Sequence, residues 1–174
     1  AQPAPRYTRA GFDIINHFTY GIVGDGDLME GIASEAASLA GHLGLGKLIY
    51  LYDDNFVTLS AGTDITFTED RARRFEAYGW HTQLLGDGND LGAIDQALRA
   101  ARAESGRPSL NLVRTHLGYG SPHTHDTFAA HGSPLGHEDG RIDKTNQGWP
   151  RAPASLDPHP PLAHLPHDDG TRTT

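Results

Sequence analysis

The sequence predicts an α/β fold: a parallel sheet with helices on both faces. Three observations carry that prediction. Apolar runs of four to six residues recur between Phe18 and about Thr115. Segments of ten to fifteen residues with capping residues and helical periodicity lie between them. Strand and helix therefore alternate at lengths that imply right-handed crossovers between parallel strands.

Thr19 to Val23 is the first strand, closed by the Gly24-Asp25-Gly26 turn. A helix follows, with Asp27 as N-cap and Glu30 at the capping-box position. Ile32, Ala36, Leu39 and Leu43 recur at helical spacing and mark its buried stripe, while Ala33, Ala37 and Ala40 allow close approach of another backbone. Gly44 and Gly46 end the helix. Lys47 to Tyr52 is the second strand, with Asp53-Asp54-Asn55 at its carboxyl end. Thr68 caps a third segment whose first turn holds Glu69 and Asp70, favourable at the positive end of a helix, and Gly79 ends it. Trp80 to Leu85 is a strand, Asp90 caps a helix to about Glu104, and Pro108 precedes a last strand from Leu110 to Arg114. Residues 116 to 137 hold five histidines and four glycines and read as one long functional loop. The six prolines from Pro150 onward mark an extended or disordered tail. The expected organisation is thus a domain over 1-150 and a Pro-rich tail over 151-174.

Composition narrows the function classes. The chain has 174 residues, about one ordinary domain. Lys plus Arg number 14 against 22 Asp plus Glu, a formal charge of −8, which argues against a nucleic-acid surface or a polybasic membrane anchor. No apolar run approaches the roughly 20 residues of a membrane-spanning helix. Cysteine is absent, so disulfides, thiolate nucleophiles and zinc-thiolate sites are excluded, and a reducing compartment fits. The chain starts at Ala1 without a signal-peptide pattern, as a segment of a longer reading frame would.

The residues that point to chemistry form a pair. In such sheets ligands bind beyond the carboxyl ends of the strands, where Asp25 and Asn55 both fall. Gly26 and Asn55 are separated by 28 residues. Glycines let backbone N–H groups approach an anion closely at a helix start. The Asp25 carboxylate, the Asn55 amide oxygen and the carbonyl of Val57 suit octahedral Mg²⁺ together with phosphate oxygens and water. A divalent cation also lets an acidic domain hold a diphosphate. Gly-Asp-Gly alone is commonly no more than a turn. Gly86-Asp87-Gly88 serves as an internal control: the same count from Gly88 lands on Leu117, with no asparagine at a strand end, so that copy reads as loop and cap.

Gly24-Asp25-Gly26-Asp27-Leu28-Met29-Glu30-Gly31 resembles the transketolase family. So do Ser34-Glu35-Ala36, Ala40-Gly41-His42-Leu43, Tyr52-Asp53-Asp54-Asn55, Glu76-Ala77-Tyr78-Gly79-Trp80 and His131-Gly132-Ser133-Pro134-Leu135-Gly136. The likeness runs from about Arg6 to about Pro150 and covers the later part of the family's first domain. It implies an incomplete thiamine diphosphate-binding fold. It also implies Mg²⁺-dependent transfer of a two-carbon ketol unit from a ketose to an aldose, with sugar phosphates as substrates. Other divalent cations such as Ca²⁺ or Mn²⁺ would serve in place of Mg²⁺. By the same resemblance the intact enzyme is a cytoplasmic homodimer of the pentose phosphate pathway, with no nucleic-acid or membrane partner.

Carried onto this chain, the likeness makes Asp25, Asn55 and Val57 the metal ligands and puts the Gly26 amide on the diphosphate. His131 would reach both the diphosphate side and the donor sugar. Glu30 and Glu35 would lie near the dimer interface, Glu30 close to the cofactor and to catalysis. Simpler accounts stand beside these. Glu30 is explained by its capping box, Glu35 by a solvated helix surface, and His131 by a glycine-flanked loop rich in histidine. His123 and His125 suggest a metal pair, but without a third ligand nearby they read as solvated. Asp53 and Asp54 read as capping or turn residues and Tyr119 as loop packing.

The sequence departs from the family in three places. Ser121-Pro122-His123-Thr124-His125 stands where Asn and Lys usually follow the proline, and Leu59-Ser60-Ala61-Gly62 where an acidic residue is usual. The tail does not resemble the family. The family's upstream histidines and glycine-rich loop would precede Ala1, and the glutamate that activates the cofactor's aminopyrimidine would follow Thr174. The chain alone is therefore expected to be inactive and, with a sheet edge exposed, marginally stable. The competing reading is a non-catalytic, truncated module that binds Mg²⁺-diphosphate or dimerises.

Overall fold

The computed structural model describes residues 7–12 and 14–150; the tail expected over 151–174 lies outside them. The chain divides into two units, Ala1–Tyr119 with Thr124–Pro134, and Gly120–His123 with Leu135–Thr174.

The first unit is built on strands β1 (Thr19–Gly24), β2 (Leu48–Asp54), β3 (His81–Leu85) and β4 (Ser109–Arg114). All pair in parallel, in the order β1-β2-β4-β3. The central β4 is buried from Ser109 to Val113, as a strand covered on both faces must be. Alternate side chains feed two cores. Tyr52, Leu110 and Leu112 pack with Leu28, Ala37, Ala40, Phe75 and Trp80 on one face. Leu85 and Val113 pack with Ala97 on the other. Helices α1 (Asp25–Met29), α2 (Gly31–His42) and α3 (Arg71–Ala77) supply the first core, and α4 (Leu91–Ala103) supplies the second.

The second face also carries polar order. Gln83 donates to the Asn111 side chain at 2.8 Å and to the Ala97 carbonyl at 2.9 Å. Asn111 in turn donates to the Tyr50 carbonyl at 3.1 Å. The buried amides are thereby satisfied and tie α4 to the sheet.

Several local expectations are corrected. The first helix starts at Asp25, not after an Asp27 cap: Gly24 is the cap, and its N–H donates to the Asp27 carboxylate at 2.8 Å. Glu30 is not the acceptor of a capping box. It sits in extended conformation between α1 and α2 and breaks one expected helix into two. Ile32 and Leu39, expected inside, are 70% and 56% exposed, and Leu43 is exposed as well. Ala37 and Ala40 carry the buried face of α2.

The reason is the closeness of the contact. Trp80 donates its indole N–H to the Ala37 carbonyl at 2.8 Å, and a Cβ on Gly41 would run into the Tyr78 carbonyl. Only small residues fit a backbone approach of that kind. The cap of α3 is Asp70, accepting from Arg73 N–H at 3.0 Å, rather than Thr68. Asp90 caps α4 as expected, accepting from Ala93 N–H at 2.9 Å.

The long loop after Thr115 contains more structure than its composition suggests. A 3-10 turn spans Phe128–Ala130, and helix α5 spans Gly136–Asn146. In the second unit, Asn146 donates to the Gly120 carbonyl at 2.8 Å and His123 pairs with Asp139 at 2.9 Å. The helix escapes a periodicity search because it has no buried apolar residue.

Strands β1 and β3 are the sheet edges. Ile22 on β1 is 78% exposed, so the apolar sheet surface continues to the edge.

The docking of α2 makes a sign prediction. Gly→Ala in a helix ordinarily stabilises by about 0.5–1 kcal/mol. Gly140→Ala in α5, where a Cβ meets nothing within 4 Å, should behave that way. Gly41→Ala should instead destabilise by roughly 1–3 kcal/mol, as overpacking does. Urea denaturation of both variants checks the opposite signs.

Candidate functional site at the strand tips

The parallel register places the candidate residues at one edge. Gly24, the last residue of β1, pairs with Asp53 of β2. Asp25 and Asn55 therefore both leave the carboxyl edge of neighbouring strands, which lie about 4.8 Å apart. Asp25 is 2% exposed, and Asn55 and Val57 are buried.

Asp25 is held from β2. The Tyr52 hydroxyl, itself fully buried, donates to Asp25 Oδ1. Among the described residues, no donor reaches Asp25 Oδ2, although that atom is buried. Burial pushes the Asp25 carboxyl above its ordinary value of 3.8, and the charges of Asp54 and Asp53 push the same way. The Tyr52 hydrogen bond and the Arg71 charge oppose this without cancelling it. Burial first, then the hydrogen bond to Asp25, raise the Tyr52 phenol above its usual 10.0, so it stays a donor.

Asn55 opens a tight turn. Its Oδ1 accepts from the Val57 N–H at 2.9 Å and its Nδ2 donates to Asp53 Oδ2 at 3.0 Å. Phe56, between them, takes φ = 61°, a left-handed conformation that a bulky side chain seldom adopts. The turn is fastened by Thr63 N–H to the Phe56 carbonyl at 3.0 Å. Such a backbone costs on the order of 1–3 kcal/mol and persists only where its surroundings enforce it.

Arginines brace this edge. Arg71 pairs with Asp54 at 2.8 Å and lies over the Tyr52, Phe56 and Phe67 rings at 5.5–5.8 Å. Arg74 donates to the Leu28 carbonyl at 3.1 Å, linking α3 to the end of α1. Asp53 accepts from the Thr115 hydroxyl. Asp53 and Asp54 therefore have structural partners, in keeping with the modest roles expected of them.

The other expected residues are exposed. Gly26 is exposed in the first turn of α1, and a Cβ there would meet nothing within 4 Å. Glu30 is exposed at the break between helices. Glu35 is exposed on α2 and borders a shallow depression with Ser38, Leu39 and His42. His131 is exposed after the 3-10 turn. Among the described residues, its ring makes no hydrogen bond or ion pair with the Asp25 group. Gly86-Asp87-Gly88 is a loop, with Asp87 Oδ1 accepting from Asn89 N–H at 2.8 Å. Nothing in the sequence marks Tyr52 as a site residue. A tyrosine in a strand reads as core, and only the fold shows where its hydroxyl ends.

A buried carboxylate oxygen without a donor among the described residues, at the same sheet edge as an asparagine amide, is chemistry that fits a hard cation.

Residues 1–158 match the family model described as transketolase, thiamine diphosphate binding domain. The chain belongs to the transketolase family. It is 49% identical over 162 residues to a transketolase of Geobacillus stearothermophilus, covering 93% of this chain and 24% of that protein. It is 47% identical to a transketolase of Nostoc sp., covering 88% and 23%. Among solved structures, it is similar to a Pichia stipitis transketolase in complex with sedoheptulose-7-phosphate, with a TM-score of 0.84 at 39% identity. A transketolase from Leishmania mexicana gives a TM-score of 0.84 at 37% identity. Each structural match covers 90% of this chain and 23% of the other. The chain thus spans about a quarter of the length of the relatives it matches.

The Asp25 environment sets a pH dependence. A carboxyl raised on folding binds its proton more tightly in the native state, so this group's effect turns destabilising as pH rises from 3.8 through the raised value. Without divalent cations, Asp25→Asn should be more stable than the wild type at neutral pH. The advantage should vanish at acid pH. Urea denaturation in EDTA across that range checks the trend.

Proposed function

We propose that this chain is the metal- and diphosphate-binding segment of a transketolase-type enzyme, which moves a two-carbon ketol unit between sugar phosphates. The observation that carries the reading is the buried, unpartnered Asp25 oxygen at the same sheet edge as Asn55. In this proposal Asp25, Asn55 and the Val57 carbonyl hold Mg²⁺, and Ca²⁺ or Mn²⁺ would substitute. The Gly26 N–H, at the start of α1, would bind the diphosphate. Thiamine diphosphate, when bound, supplies the electron sink of the reaction.

This chain's residues bind and orient. Tyr52 fixes one Asp25 oxygen and leaves the other for the cation. The Asn55 turn presents an amide oxygen and the neighbouring backbone. His131, from its exposed loop position, would contact substrate and diphosphate, and Glu30 would act near the cofactor at a subunit boundary. The exposed Ile32 and Leu39 on α2, with Leu43 at its C-cap and Glu35 on the same helix, support a homodimer formed through that helix. The proposal also includes a cytoplasmic setting and no nucleic-acid or membrane partner. Among the described residues, no helix is long and apolar enough to cross a membrane.

The domain over 1-150 with a separate tail over 151-174 remains part of the same proposal. On this reading the chain is one segment of the catalytic apparatus and gives no turnover alone.

Calorimetric titration of thiamine diphosphate should show binding in Mg²⁺ that disappears in EDTA and in Asp25→Ala. Binding unchanged by metal removal would contradict the reading. A coupled ketol-transfer assay should show no activity for the chain by itself.

A further inference from the structure

A second cluster of metal-ligating groups lies outside the strand-tip site. His116, His125 and Asp126 each offer a ligand atom, and these atoms lie within 4.8 Å of one another. His116 Nδ1 is 2.8 Å from Asp126 Oδ2, and His125 Nε2 is 3.4 Å from the same oxygen. Ligands at 2.0–2.1 Å from a tetrahedral ion are separated by about 3.3 Å, so the observed spacings need little adjustment. The two imidazoles stack with centroids 5.2 Å apart and 20° between planes.

The loop is built to produce this grouping. Asp126 N–H donates to the Leu117 carbonyl at 2.8 Å, which closes the intervening segment on itself. Asp126 takes φ = 55°, and Gly118 takes φ = 66° with Ala130 and Thr124 against it. The backbone thus places a carboxylate against a histidine ten residues earlier. Burial pushes the Asp126 carboxyl up, but the hydrogen bond and charge of His116, with His125 and Arg114, hold it below its ordinary value. Both imidazoles must be in their neutral form to bind a metal beside this carboxylate. Arg114 Nη2 stands 4.0 Å from Asp126 Oδ2 and opposes a cation. Its guanidinium is, however, already bonded to the Asp54 and Thr115 carbonyls and lies 4.3 Å over the Phe56 ring.

The geometry points to a binding site for a borderline divalent transition ion such as Zn²⁺ or Co²⁺, held by His116, His125 and Asp126 with one position open. Two imidazoles and one carboxylate select such ions over Mg²⁺, which prefers oxygen ligands. The site is distinct in residues and in donor chemistry from the Asp25 group. It falls in the loop where the sequence departs from its family.

Co²⁺ titrated into the protein in excess Mg²⁺ should develop the visible bands of a four-coordinate centre at one equivalent. His116→Gln and His125→Gln should each weaken binding by roughly 100-fold or more, since loss of outer-shell partners alone costs 10–100-fold. Asp25→Ala should leave the bands unchanged, which separates this site from the strand-tip reading. Zn²⁺ should also shift the ring resonances of His116 and His125 in the wild type while sparing His131 and His137, a measurement that needs no variant to fold. Absence of the bands, their persistence in both glutamine variants, or their loss in Asp25→Ala alone would overturn the assignment.

Discussion

The strand-tip edge is organised around one buried carboxylate. Asp25 cannot reach water, and one of its oxygens has no donor among the described residues. A charge in that position is costly unless something compensates it. The surrounding structure gives one oxygen a donor, Tyr52, and leaves the other without one. For the carboxylate to stay there, its supports must be ordered independently of it. Tyr52 is locked in the first core, Asp54 is held by Arg71, and the chain beyond Asn55 is pinned in a left-handed turn. The edge is therefore ordered by packing, while burial disfavours the ionised carboxylate that the packing holds there.

The same logic accounts for the close fit of α2. Its Ala37, Ala40 and Gly41 lie against the junction between α3 and β3, where Trp80 donates to the helix and the Tyr78 carbonyl lies over Gly41. This contact seats the C-terminal half of α2 against the start of β3. Two of the sequence runs that resemble the transketolase family, Ala40 to Leu43 and Glu76 to Trp80, meet in this contact. Their similarity to the family has a packing explanation as well as a functional one.

The strands and Asp90 were readable because they obey local rules: apolar runs, caps and turn glycines that no tertiary contact overrides. The α2 face was not. A helix with large residues on one side and alanines on the other carries two apolar stripes, and periodicity cannot say which is buried. Burial by backbone proximity selects the small stripe and turns Ile32 and Leu39 outward. Asp25 and Asn55 were legible because strand tips and glycines mark them. Tyr52 was not, since its role depends on where one hydroxyl ends. The His116–Asp126 pair was equally hidden. A spacing of ten residues has no motif value until a backbone bond closes the loop.

Arg114 joins these two parts of the molecule. It ends β4, and its guanidinium bonds the Asp54 carbonyl on one side while facing Asp126 on the other. Phe56, whose strained backbone shapes the Asn55 turn, lies beneath the same guanidinium. A single guanidinium is thus shared by the acidic strand-tip edge and the histidine loop. Arg114 is not free to turn fully toward Asp126 without giving up its bond to β2 and its aromatic contact. The same Asp126 oxygen also faces His116 and His125. The acidic edge and the histidine loop thus share one arginine, while their donor sets stay separate.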